Sequence, residues 1–115
     1  MNDAFNPLNE EHALAVRTEI RRTAEALRSG ALPFLDGVRK LSALRHQVSA
    51  SGNDEDFTPF LAVDSETDHL PSQSALAFCS EAWLAKCEAE MKEVIQVHGS
   101  TICAACDKLI KRFSS

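Results

Sequence analysis

The chain predicts an all-α fold, a small antiparallel bundle of three to four helices with one long ordered acidic loop at about residues 53–74. Three observations carry this. Apolar residues recur every three or four positions over most of the chain, turn formers interrupt that period at Ser29-Gly30 and at residues 49–53, and Gly and Pro number only four each among 115 residues. With 44% apolar residues the chain fits a single helical domain over 1–115. Such a domain buries roughly two-thirds of its unfolded surface.

The first helix is expected to start at Asn9, an N-cap residue followed by Glu10 and Glu11, whose charge suits the positive end of a helix dipole. Ala13, Val16, Ile20, Thr23 and Leu27 form its apolar stripe, with Arg17, Arg21, Arg22 and Arg28 largely off it, and Gly30 ends it. Pro33 opens a second helix from its first turn. Phe34, Val38, Leu41, Leu44 and Val48 keep the period there, and so short a connection packs the two helices antiparallel.

From Asn53 to Ser74 the helical period is expected to fail, because Pro59, Pro71 and six acidic residues interrupt it. Phe57, Phe60, Leu61 and Val63 are too apolar to stand in water, so they should anchor this loop onto the helices. Ser80 then caps a third helix carrying Trp83 or Leu84, Cys87, Met91, Val94 and Val97 or His98. Gly99-Ser100-Thr101 can interrupt it, so the stripe continued by Ile102, Cys106, Leu109 and Phe113 belongs to one kinked helix or to two.

Charge narrows the search for function. Residues 1–50 hold seven Arg/Lys and six Asp/Glu, residues 72–115 hold five of each, and residues 51–71 hold six Asp/Glu and no Arg/Lys. The net charge of −5 therefore belongs to one segment. No apolar run reaches the roughly 20 residues of a membrane helix. The first residues lack the basic-then-apolar order of an export signal, so a cytoplasmic address is expected. In that reducing compartment Cys79, Cys87, Cys103 and Cys106 stay thiols. Glu19 and Glu25 dilute the arginine face of the first helix, and no aromatics interleave it, so nucleic-acid binding is not expected.

Asp64-Ser65-Glu66-Thr67-Asp68-His69 places carboxylates at alternate positions, as the start of a calcium loop does, but His69 and Ala75 stand where that loop needs Gly and Glu. A transition metal on Asp64, Asp68 and His69, or acid/base chemistry by the same three, is the enzyme alternative. A structural alternative has these acids capping local N–H groups and pairing with Arg39 and Arg45 of the second helix. No phosphate loop, nucleophile elbow or helical His pair is present, and no cofactor or metal is expected. Cys103-Ala104-Ala105-Cys106 has redox spacing without a preceding strand, so it reads as two small core residues. Trp83 is expected to bury its ring, and His12, His46 and His98 to stand isolated at the surface or the core edge.

Asp54-Glu55-Asp56-Phe57-Thr58-Pro59-Phe60, followed by Asp64-Ser65-Glu66-Thr67-Asp68-His69-Leu70-Pro71, resembles a group of short bacterial proteins of uncharacterised function. The resemblance extends more weakly over Leu41-Ser42-Ala43-Leu44-Arg45-His46, Trp83 and Phe113. It implies a helical pair, an ordered acidic loop and a helical arm, and no reaction. An acidic chain without a catalytic kit suits a protein-binding module, such as an immunity protein covering the basic site of an interbacterial toxin domain. The expected binding set is Asp56, Phe57, Phe60, Asp64, Glu66, Asp68 and His69. An apolar stripe on every arm serves a homodimer as well as a monomer core.

Overall fold

A computed structural model describes residues 7–48, 54–71 and 75–114. Among the described residues the chain is all-α, with helices α1 (Pro7–Ser29), α2 (Phe34–Val48), α3 (Thr58–Glu66) and α4 (Glu81–Arg112). Two 3-10 turns, Glu55–Phe57 and Ala75–Phe78, precede α3 and α4, and no strand occurs among the described residues.

Helix α1 begins at Pro7, two residues before the Asn9 cap expected from sequence. A proline suits a first helical position, because its φ is preset and its missing N–H has no partner there anyway. Gly30 ends the helix in the left-handed region at φ +84°, where a side chain would be strained. Helix α2 follows directly on Pro33, whose carbonyl accepts the Gly37 N–H at 3.0 Å. The two helices pack antiparallel: Lys40 pairs with Glu19, and His12 meets Gln47 at 3.0 Å nearer the other end. Gly37 permits their close approach, since a Cβ there would lie 2.9 Å from the Leu27 Cδ1.

The long loop expected at residues 53–74 is in large part helical. Asp54 caps the 3-10 turn by accepting the Asp56 N–H at 3.1 Å, and Pro59 then sits in the first turn of α3, where proline is tolerated. Phe57, Phe60, Val63 and Thr67 keep a helical spacing and are all fully buried or nearly so. Pro59 and the apolar run through Val63 hid that period in the sequence. The anchoring role expected of Phe57, Phe60 and Val63 is what the structure shows, with the two rings tilted against each other at 6.5 Å, whereas Leu61, expected beside them, is only half-buried.

Helix α4 is unbroken through Gly99-Ser100-Thr101, so the alternative of two helices is set aside. One Gly in a helix interior costs about 1 kcal/mol, which the packing of both flanks outweighs. Ser80 caps α4 as expected, accepting the Trp83 N–H at 3.2 Å. The C-terminal part of α4 supplies Val94, Ile102, Ala105, Cys106 and Leu109 to the main core, joined by Phe113, Val16, Ile20, Ala24 and Leu27 of α1, Val38 and Leu41 of α2, Phe57 of the 3-10 turn, and Phe60 and Val63 of α3. Arg28 bonds Asp107 at 3.2 Å while Arg17 lies over the Phe113 ring, so α4 runs antiparallel to α1.

At about 1.5 Å per residue the 32 residues of α4 span about 48 Å, against about 35 Å for α1 and about 22 Å for α2. The excess lies at the N-terminal end of α4. There, residues 81–93 place only Cys87 in a fully buried position, in a small cluster with Leu35 and Leu70.

Candidate functional site

The acidic segment is held at both ends by arginines from neighbouring helices. At its start the Arg112 guanidinium meets Asp54 at 2.9 Å and Asp56 at 2.8 Å, a fork that matches two carboxylates at once. The Arg112 hydrogen bond holds the Asp54 carboxyl below its ordinary value against an opposing effect of burial, and Asp54 in turn raises Arg112. At its far end Arg39 donates to the carbonyls of Thr67 and Leu70, both at 2.8 Å, and lies 3.8 Å from Asp64. Those carbonyls lie just past α3, on its C-cap residue Thr67 and in the bend after it, where the intrahelical ladder has stopped.

Each residue of the expected binding set can now be placed. Phe57 and Phe60 have no exposed surface and belong to the core, so they cannot touch a partner while the bundle is closed. Asp56 is committed to Arg112 and Asp64 to Arg39. Glu66 pairs with His98 at 2.7 Å and His69 with Glu90 at 2.5 Å, both bridging onto α4. Asp68 is exposed to solvent in the turn after α3. Arg39 fulfils the expected pairing, whereas Arg45 does not: it turns back to the Ser42 carbonyl and hydroxyl of its own helix. His12 and His98, expected to be isolated, both have partners.

Asp64, Asp68 and His69 face different neighbours and do not converge. Among the described residues no three His, Cys, Asp or Glu side chains come together in a way that could hold a metal ion. All four thiols are free. Cys106 is fully buried and its thiol is pushed up to about 12, chiefly by burial, so it is inert packing, while Cys103 is only half-buried. Burial also raises the Cys87 thiol. No described helix is long and apolar enough to cross a membrane.

A second region stands out at the overhanging end of α4. Four of the five large apolar side chains exposed among the described residues lie between positions 78 and 97: Phe78 at 90%, Val97 at 64%, Ile95 at 42% and Trp83 at 39% of their full exposure. Trp83 is thus not the buried ring expected from sequence; the Lys86 ammonium lies over it at 5.6 Å. An open groove of roughly 510 Å³ runs along this end of α4, with Ile95 of these four in its wall. Its walls are the start of α2 (Phe34, Leu35, Asp36), the bend Leu70-Pro71, and one flank of α4 (Leu84, Glu88, Met91, Ile95). The acidic segment and the groove meet at Leu70, two residues after Asp68.

No family model, curated protein or solved structure matches the chain. The fold and surface define a small all-α bundle with one overlong helix and a partly apolar end.

The sequence held a sign of this surface. Two positions on the α4 stripe had paired candidates, Trp83 or Leu84 and Val97 or His98, so the apolar arc was wider than one core-facing stripe requires. The width marked a helix with apolar residues on both sides of its buried line.

Proposed function

We propose that this protein is a protein-binding module whose partner sits on the overhanging end of α4 and the adjoining turn at residues 68–71. One observation carries the reading: the concentration of exposed large apolar side chains on that end. Large apolar side chains gathered at one end of a small protein, here Phe78 and Trp83 together with the groove wall Leu84, Met91 and Ile95, mark an interaction surface more than singly scattered ones do. Aromatic anchors such as Phe78 and Trp83 are the kind of side chain that dominates binding energy at an interface centre.

The acidic segment supports the same reading from its margin. Most of its carboxylates serve the fold through Arg39, Arg112 and His98, so its contribution to a partner is field and rim contacts. Asp68 and the exposed Glu55 remain to steer a basic partner. Immunity against a toxin domain is the narrower form of this proposal, in which the covered surface is a basic toxin site.

The test is recovery of the partner from the native host on the tagged full-length chain, with and without Phe78→Ser, Trp83→Ser and Val97→Ser together. These positions are exposed, so the triple variant keeps its fold, which circular dichroism and the melting transition check. Loss of the partner with the fold intact supports the proposal. Undiminished recovery overturns the assignment of the surface.

A further inference from the structure

We infer that the groove between α2 and α4 seats an amphipathic helical segment of the partner whose polar face is basic. The inference deepens the protein-binding reading and depends on it, adding the chemistry of the occupant. Three observations carry it.

The first is shape. Leu84, Glu88, Met91 and Ile95 recur at four, three and four residues along one flank of α4, a straight edge of about 16 Å, or three helical turns. The start of α2 and the Leu70-Pro71 bend form the facing wall. A helix laid in such a trough places its own side chains at the same three- and four-residue spacing. The second is apolarity: Phe34, Leu35, Leu70, Leu84, Met91 and Ile95 give the trough its surface, and Met adapts its shape to an incoming side chain.

The third is charge. Asp36 and Glu88 line the groove, and no Lys or Arg does. Asp68 stands exposed just before Leu70, and Glu81 is exposed at the first turn of α4. The N-termini of α2 and α4 both lie at this end and would attract anions, yet each already carries an acid in its first turn, Asp36 and Glu81. Lys86 and Lys92 of α4 are exposed and are not among the lining residues. The rim therefore favours cations. A second copy of this chain would set Asp36, Glu88 and Asp68 against the same acids across a two-fold axis, which disfavours self-association through this face. An anionic lipid surface is disfavoured for the same reason.

The experiment uses the full-length protein and two synthetic helical peptides of about 14 residues, one with Leu on one face and Lys on the other, its control with Glu replacing Lys. Fluorescence anisotropy measures affinity, and amide NMR shifts locate the site. The expected result is binding of the Lys peptide alone, with shifts at residues 34–36, 70 and 84–95. Asp36→Lys with Glu88→Lys should weaken it about tenfold or more, as loss of complementary rim charge does. Equal binding of both peptides overturns the inference, as do shifts confined to residues 54–66. So does a dimer by sizing that Ile95→Lys dissolves while neither peptide binds. The protein-binding reading has its own separate readout: a native partner that is lost with the Phe78, Trp83 and Val97 variant, while no Lys peptide binds, refutes the basic helix and leaves that reading standing.

Discussion

Replacing Arg39 by Met keeps the length and apolar stem of the side chain while removing the guanidinium that holds the end of α3. The wild-type group donates to the Thr67 and Leu70 carbonyls at 2.8 Å and faces Asp64 at 3.8 Å. Hydrogen bonds from a charged donor contribute about 1.5–3 kcal/mol each. Thr67's carbonyl keeps the Leu70 N–H at 2.9 Å after the change, so the Leu70 carbonyl is the one left without its donor. The Arg39 side chain is 25% exposed, which admits some water to the site. The low end therefore applies, a loss of about 2 kcal/mol. With a melting entropy of about 2.1 cal/mol/K per residue, 1 kcal/mol in a chain of this length moves Tm by about 4 °C, so Arg39→Met should melt about 8 °C lower. Urea denaturation and calorimetry measure both quantities. Arg45→Met is the control, since Arg45 bonds only within α2, and it should cost about 1 kcal/mol or less. Equal stability of Arg39→Met and wild type would refute the claim that this arginine fastens the acidic segment.

Other outcomes follow from the same contacts. Phe60→Ala removes a fully buried ring and should cost about 3–5 kcal/mol by urea denaturation. Gly30→Ala forces a side chain into φ +84° and should cost about 1–2 kcal/mol, though the space around it is open. The Asp54 carboxyl is held below its ordinary value of 3.8, so its contribution is present above that pH and is lost as pH falls through the lowered value. Asp54→Asn should accordingly flatten the acid limb of stability against pH and leave its slope near neutrality unchanged. Thiol labelling at pH 8 should modify Cys106 only as the chain unfolds, since it is fully buried and its thiol is raised.

The helical arms were legible because each core stripe repeats at helical spacing: Val16, Ile20 and Leu27 in α1, Val38 and Leu41 in α2, and Ile102, Cys106 and Leu109 in α4 all proved buried. α3 was not legible, because Pro59 and the dense carboxylates carry the composition of a loop. Its helix depends on partners distant in sequence, Arg112 and Arg39, which neutralise and cap a segment that is unfavourable by itself. The same distance explains the binding set. Phe57 and Phe60 were rightly read as anchors, and burial then removes them from the accessible surface. The end of α4 was obscured for the opposite reason. Trp83, Leu84 and Val97 fit the α4 stripe equally well whether or not another element covers them, and only the end points of α1 and α2 decide that.

Partner placement on α4 is the central claim, and hydrogen exchange read by mass spectrometry on the chain with and without its recovered partner tests it most directly. Slowed exchange at residues 33–36, 68–71 and 81–97, with residues 54–66 unchanged because they are already packed, is the predicted result. Protection confined to residues 54–66, with the end of α4 exchanging as in the free chain, would contradict it.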